Sequence, residues 1–122
     1  MRKGEYQDEE PGCPTEVTAG VIGGKWKTLI LTFLLPGPRR FGEISRFLPQ
    51  ASKRMLTLQL RELEEDGVIH REVYREVPPK VEYSLTPCGE TLKSILLLMA
   101  DWGQKQIDSQ AEASREKKRE PS

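Results

Sequence analysis

Lys53, Arg54, Thr57, Leu58 and Arg61 recur at three- and four-residue spacing within the segment ASKRMLTLQLRELEEDGVI, residues 51–69, which places them on one side of a helix. An arginine can bond a guanine edge bidentately, and a threonine methyl can meet the methyl of thymine. Arg54 and Thr57 therefore lead the candidates for reading bases, with Ser52, Lys53 and Arg61 beside them. Leu58 has two readings: a further methyl contact to thymine, or an apolar residue packed on the preceding helix. Arg39, Arg40, Arg71, Arg75 and Lys80 suit phosphates, where charge counts and base identity does not. A solvated helix face is the plain alternative. Against it stands the order of charge, because the cations all precede Glu64, Glu65 and Asp66, and acids at the end of a helix are disfavoured by its dipole.

Two thiols offer a second chemistry. Cys13 directly precedes Pro14 at an expected helix start, and Cys88 stands at the start of the last expected helix. The positive end of a helix dipole favours thiolate, and so reaction with electrophiles. Glu9, Glu10 and Glu16 oppose that effect at Cys13. An inert thiol stays open for Cys13; for Cys88 both a resolving partner and no role stay open. The chain has one histidine, His70, no Ser-His-Asp set, no phosphate-binding glycine loop and no close pair of metal ligands. No catalytic residue is assigned, and neither cofactor nor metal is expected.

Breakers and periodicity mark out the secondary structure around these residues. Pro14 and Glu16 open a short helix that ends near Ile22, before Gly23 and Gly24. A second, largely buried helix carries Trp26, Leu29, Ile30 and Phe33 on one stripe until Pro36-Gly37-Pro38 stops it. Phe41, Ile44, Phe47 and Leu48 mark a third helix of about two turns, closed at Pro49. After a tight turn, Ser52 caps the segment with the cationic face, whose Leu56, Leu60 and Leu63 turn toward the core. A short helix, a turn and a helix with a cationic outer front make a helix-turn-helix, whose second helix enters the major groove. Beyond Gly67, residues alternate through Tyr74 and Arg75, turn at Pro78-Pro79 and resume as Val81, Tyr83 and Leu85, a two-stranded β wing. The last helix, about Pro87 to Ile107, has Leu92, Ile95, Leu96, Met99 and Trp102 on one stripe with Leu97 and Leu98 outside it. A helix apolar over more than one face needs a second partner, so Leu97, Leu98 and Trp102 are assigned to a homodimer interface. The fold class is α+β, mainly α: a winged helix-turn-helix with added N- and C-terminal dimerisation helices.

At 122 residues the chain fits one domain. Residues 1–12 read as a flexible acidic arm, 13–108 as the domain and 109–122 as a disordered polar tail. Cations and acids balance at 19 each, yet from Arg39 to Arg61 six cations face the single acid Glu43, so polarity is local. No secretory signal is read and the two cysteines make no disulfide framework, so a reducing cytoplasm is expected, with no membrane segment.

In their order, CPTE, IGGKW, RRFGEI, RMLTLQLRELEEDGVI and PPKVEYSLT followed by Gly89 resemble the HxlR-type winged-helix transcriptional regulators, relatives of the MarR group. The resemblance runs from about Cys13 to Trp102. It implies a small dimeric DNA-binding protein in which a cysteine before the first helix senses oxidants or electrophiles such as quinones and aldehydes. Double-stranded DNA carrying an inverted-repeat operator is the expected partner. A winged-helix module that binds protein rather than specific DNA is the alternative.

Overall fold

The computed structural model describes residues 12–119. Helices α1 (Pro14–Ile22) and α2 (Lys27–Leu34) lead into a two-residue strand β1 (Arg39–Arg40) and helix α3 (Phe41–Phe47). Helix α4 (Lys53–Glu65), strands β2 (Ile69–Tyr74) and β3 (Lys80–Leu85), a short α5 (Pro87–Glu90) and the long α6 (Lys93–Arg119) follow. This is the winged helix-turn-helix, with α3 and α4 as its two helices and β2–β3 as the wing. The sheet has three strands rather than two, because β1 pairs antiparallel with β3, Arg39 opposite Tyr83.

Local chemistry accounts for the borders of the recognition helix α4. The Ser52 hydroxyl accepts from the Met55 amide at 3.0 Å and so satisfies one of the donors left unpaired at a helix start. At the other end, Gly67 takes a left-handed backbone, φ +78°. Its amide bonds the Glu64 carbonyl, and the Val68 amide bonds that of Leu63, a Schellman closure that a β-carbon would strain. Gly89 is required for a different reason. A β-carbon there would come 2.0 Å from the Val68 carbonyl oxygen, where α5 lies against the start of the wing.

The core gathers Ile30, Leu31 and Leu34 of α2, Ile44 of α3, Leu56, Leu60 and Leu63 of α4, Ile69 and Tyr83 of the sheet and Leu96 of α6. Helix α2 is its hub, packing against α1, α3, α4, α6 and β3. The buried face of α2 is Lys27, Ile30, Leu31 and Leu34, not the expected stripe through Trp26, Leu29 and Phe33. Leu29 is exposed, while Phe33 is half-buried and stacks on the exposed Phe47, ring centroids 4.2 Å apart. Lys27 is admitted because its Nζ lies 2.6 Å from the Glu62 carboxylate on α4, and a charge is tolerated inside when it is paired.

Two expectations for the C-terminal half change. Of the stripe on the last helix, only Leu92 and Leu96 meet the chain's own core; Ile95, Met99 and Trp102 are exposed along with Leu97 and Leu98. Helix α6 also runs on to Arg119, through the polar segment expected to be disordered from residue 109. Its Gln, Ala, Glu, Lys and Arg residues are strong helix formers. Side chains one turn apart pair just before it, Lys105 with Asp101 at 3.0 Å and Gln104 with Asp108 at 3.0 Å. Residues 1–11 of the expected arm lie outside the described residues. Among the described residues, no helix is long and apolar enough to cross a membrane.

Candidate nucleic-acid interface

The α4 periodicity that buries Leu56, Leu60 and Leu63 turns Lys53, Arg54, Thr57, Leu58 and Arg61 outward, all exposed. Arg54, Thr57, Leu58 and Arg61 line one shallow hollow on that face. Leu58 is 46% exposed, an apolar side chain presented among cations. The Thr57 hydroxyl donates to the Lys53 carbonyl at 2.8 Å, which leaves its methyl as the outward contact. Ser52 is held as the cap, at the front edge of the same face.

A second cleft adjoins the first and shares Thr57 and Arg61 with it. It is walled on the far side by Glu64, Arg71 and Tyr83, and thus joins the recognition helix to the wing. Arg71 and Tyr83 stand directly opposite across β2 and β3, and Arg71 Nε lies 3.9 Å from the Glu64 carboxylate. Burial raises the Tyr83 phenol above its ordinary pKa; the nearby Arg71 charge works against this and Glu64 with it. Two of the acids in the second half of α4 thus meet cations from other elements, Glu62 with Lys27 and Glu64 with Arg71.

The remaining phosphate candidates differ in how free they are. Arg39 is occupied: its Nε donates to the Phe33 carbonyl at 3.3 Å, its guanidinium lies 4.4 Å from the centre of the Phe33 ring, and Glu43 is 3.8 Å away. Lys80 lies 3.3 Å from Glu82 and 4.8 Å from the centre of the Tyr74 ring, on the sheet face that also carries His70 and Glu72. A hydrogen bond to Glu82 raises the Tyr74 phenol. Arg40 is exposed at the start of α3, where Glu43 accepts from its amide at 3.0 Å. Arg75 is exposed at the wing tip.

The thiols lie apart from this face in the chain's layout. Cys13 is the N-cap residue of α1, exposed, with its carbonyl accepting from Glu16 and Val17; Cys88 is exposed on α5, and both are free thiols. No local pattern marks Tyr83, Glu64 or the Lys27–Glu62 pair as part of a site, because each meets its partner from another element. The alternation along the wing put Arg71 on the face of Ile69, but only the strand register set it opposite Tyr83.

The profile of the HxlR-like helix-turn-helix family matches residues 21–111, three quarters of the chain and the whole of the helix-turn-helix and wing. The chain belongs to the HxlR-like helix-turn-helix family. Transcription regulation through a DNA-binding helix-turn-helix is its class of activity, in agreement with its similarity to the HTH-type transcriptional regulator YdeP of Bacillus subtilis. That protein is 58% identical over 101 residues, which span 83% of this chain and 79% of the relative. The redox regulator HypR is similar in structure as well. Its reduced form matches with a TM-score of 0.77 at 54% identity, over 81% of this chain and 98% of HypR. Its oxidised form matches at 0.74 and 57%, over 76% and 96%. The HxlR-like profile begins at Val21, so Cys13 and most of α1 precede the matched residues.

Proposed function

We propose that this HxlR-like chain works as a homodimer that binds an inverted-repeat DNA operator and regulates transcription in response to an oxidant or electrophile. The observation that carries the DNA reading is the outer face of α4, where Lys53, Arg54, Thr57, Leu58 and Arg61 are exposed together beside the wing. On this reading Arg54, Thr57 and Leu58 meet base edges, with Ser52 and Lys53 at the front of the helix. Arg40, Arg71 and Arg75 meet phosphates; Arg39 and Lys80, already engaged within the chain, contribute charge at a distance.

Dimerisation is supported by α6, where Leu98 is 69% and Trp102 67% exposed in the single chain, with Leu97, next to Leu98 in sequence, exposed as well. A contiguous exposed apolar row of that kind marks an interaction surface. A two-fold dimer would present two recognition helices about one DNA turn, roughly 34 Å, apart, and the operator would be an inverted repeat. The thiol reading is supported by Cys13, exposed at the start of α1, and by the likeness to a redox regulator. Reaction at Cys13 would alter how α1 sits on the dimer and so the spacing of the recognition helices. Cys88 is the candidate resolving thiol.

DNA retention over a salt series tests the first part. A steep fall in affinity with salt is expected from the phosphate contacts, whereas a flat response would favour a protein-binding module. Light scattering of the free protein at micromolar concentration should give the mass of a dimer.

A further inference from the structure

The cleft between α4 and the wing joins Arg71, already read as a phosphate holder, to Arg61 and to Tyr83, a residue that the assignment of base-reading and phosphate-holding residues leaves out. It measures about 320 Å³, against about 30 Å³ for one liquid water, so it has room for a phosphate group with several waters. Arg61 and Arg71 supply two cations to its wall and Glu64 one anion, for a local excess of one positive charge. Tyr83 is only 9% exposed, its ring packed in the core. Its hydroxyl has no hydrogen-bond partner among the described residues, yet it is not sealed from solvent. A buried phenol is normally satisfied inside the protein. This one instead belongs to a residue that lines, together with two arginines, a cleft open to solvent.

We infer that this cleft is a phosphate site in which the Tyr83 hydroxyl and the Arg61 and Arg71 guanidinium groups donate to the unesterified oxygens of one phosphate. The inference rests on the DNA-binding reading for its expected ligand, a phosphodiester of the operator backbone. With the outer face of α4 in the major groove, the wing side of that helix meets the sugar-phosphate strand that bounds the groove, and Thr57 and Arg61 belong to both hollows. Thr57 is a wall and not a donor, since its proton is engaged by the Lys53 carbonyl. Arg61 is thereby moved from the base-reading set to the backbone. Glu64 has a double effect: it holds Arg71 at 3.9 Å and opposes any incoming anion.

The test uses the full chain and its operator, with Tyr83→Phe, which removes one oxygen, and Glu64→Gln, which removes one opposing charge. Tyr83→Phe should weaken operator and random DNA alike by about tenfold, the loss expected for one hydrogen bond to a charged group. Glu64→Gln should tighten both, and neither change should alter preference at any base pair. Neutral methylphosphonate placed one position at a time along the operator should reveal a phosphate whose neutralisation weakens the wild type strongly and Tyr83→Phe much less. Inorganic phosphate, added to DNA-free protein while the Arg61 and Arg71 side-chain N–H resonances are followed, probes the site separately. Should the wild type fail to hold DNA in the salt series while inorganic phosphate shifts both arginines, the operator reading falls and the site takes a free phosphate. Operator binding unchanged by Tyr83→Phe, with no phosphate in the scan dependent on it, overturns the inference, as does silence toward both probes. If Tyr83→Phe melts early, Glu64→Gln decides: unchanged or weaker DNA binding counts against the site.

Discussion

Arg54 and Arg75 carry the same charge and should behave differently. Arg54 stands in the first turn of α4 and Arg75 at the wing tip, so on the proposed DNA reading Arg54 meets base edges and Arg75 the backbone. Arg54→Ala is expected to cost about 1 to 3 kcal/mol of operator affinity and to relax selectivity at one base position. Arg75→Ala should weaken all sequences alike and make the salt slope shallower by about one unit per subunit. Titrations against specific and random DNA separate the two. Tyr83 makes a prediction in pH. Its phenol is held above the ordinary value near 10, chiefly by burial, so the folded state keeps the proton after the unfolded chain has released it. The contribution is complete below pH 10 and is lost as pH rises through the folded pKa. Urea unfolding from pH 8 to 11 should show stability falling at the alkaline end, and Tyr83→Phe should flatten that fall.

At the scale of elements, the Lys27–Glu62 pair fixes how α2 and the recognition helix meet. Its Nζ to oxygen distance is 2.6 Å, with Lys27 4% exposed, so the lysine has exchanged water for one carboxylate and the packing around it. Lys27→Met leaves the Glu62 carboxylate facing an apolar neighbour. Glu62 keeps some contact with solvent, and a loss of about 2 to 3 kcal/mol is expected, below the 3 to 5 typical of a fully buried pair. Lys27→Met combined with Glu62→Leu should recover most of it, as buried pairs replaced by apolar residues often do. Denaturant midpoints of the three proteins check this; a single variant as stable as the wild type would mean that the pair adds nothing.

For the whole molecule, the surface left uncovered by one chain is the informative quantity. Leu97, Leu98 and Trp102 project from α6 beyond the point where Leu92 and Leu96 dock on the core. Leu98→Glu should shift the light-scattering mass toward the monomer and weaken operator binding with it, while leaving the far-ultraviolet signal of the folded chain in place. The thiols are tested on the same assembly. Diamide or a quinone should change DNA binding of the wild type, and Cys13→Ser should abolish that response. If Cys88→Ser abolishes it instead, the reactive thiol is on α5, and non-reducing electrophoresis of both variants identifies any disulfide between subunits.

Most of the elements and the outward face of α4 are legible in the chain. Pro14, Pro36-Gly37-Pro38, Pro49 and Gly67 end or begin segments by local sterics, which need no distant partner, and the 3.6-residue spacing of Leu56, Leu60 and Leu63 fixes where Arg54, Thr57 and Arg61 point. Alternation likewise gave the wing its two faces. Only the tertiary structure decided which face of α2 is inside, because a lysine reads as surface until Glu62 is brought to it from thirty-five positions away. In the same way Phe33 and Glu43 engage Arg39, and β1 adds a third strand too short to show a pattern of its own. Tyr83 reads as one more apolar position of an alternating strand; what separates it from Val81 and Leu85 is a cleft that it lines together with two arginines, one from α4 and one from β2. Such pairings depend on the angle and distance between whole elements, and no local repeat in the chain encodes those.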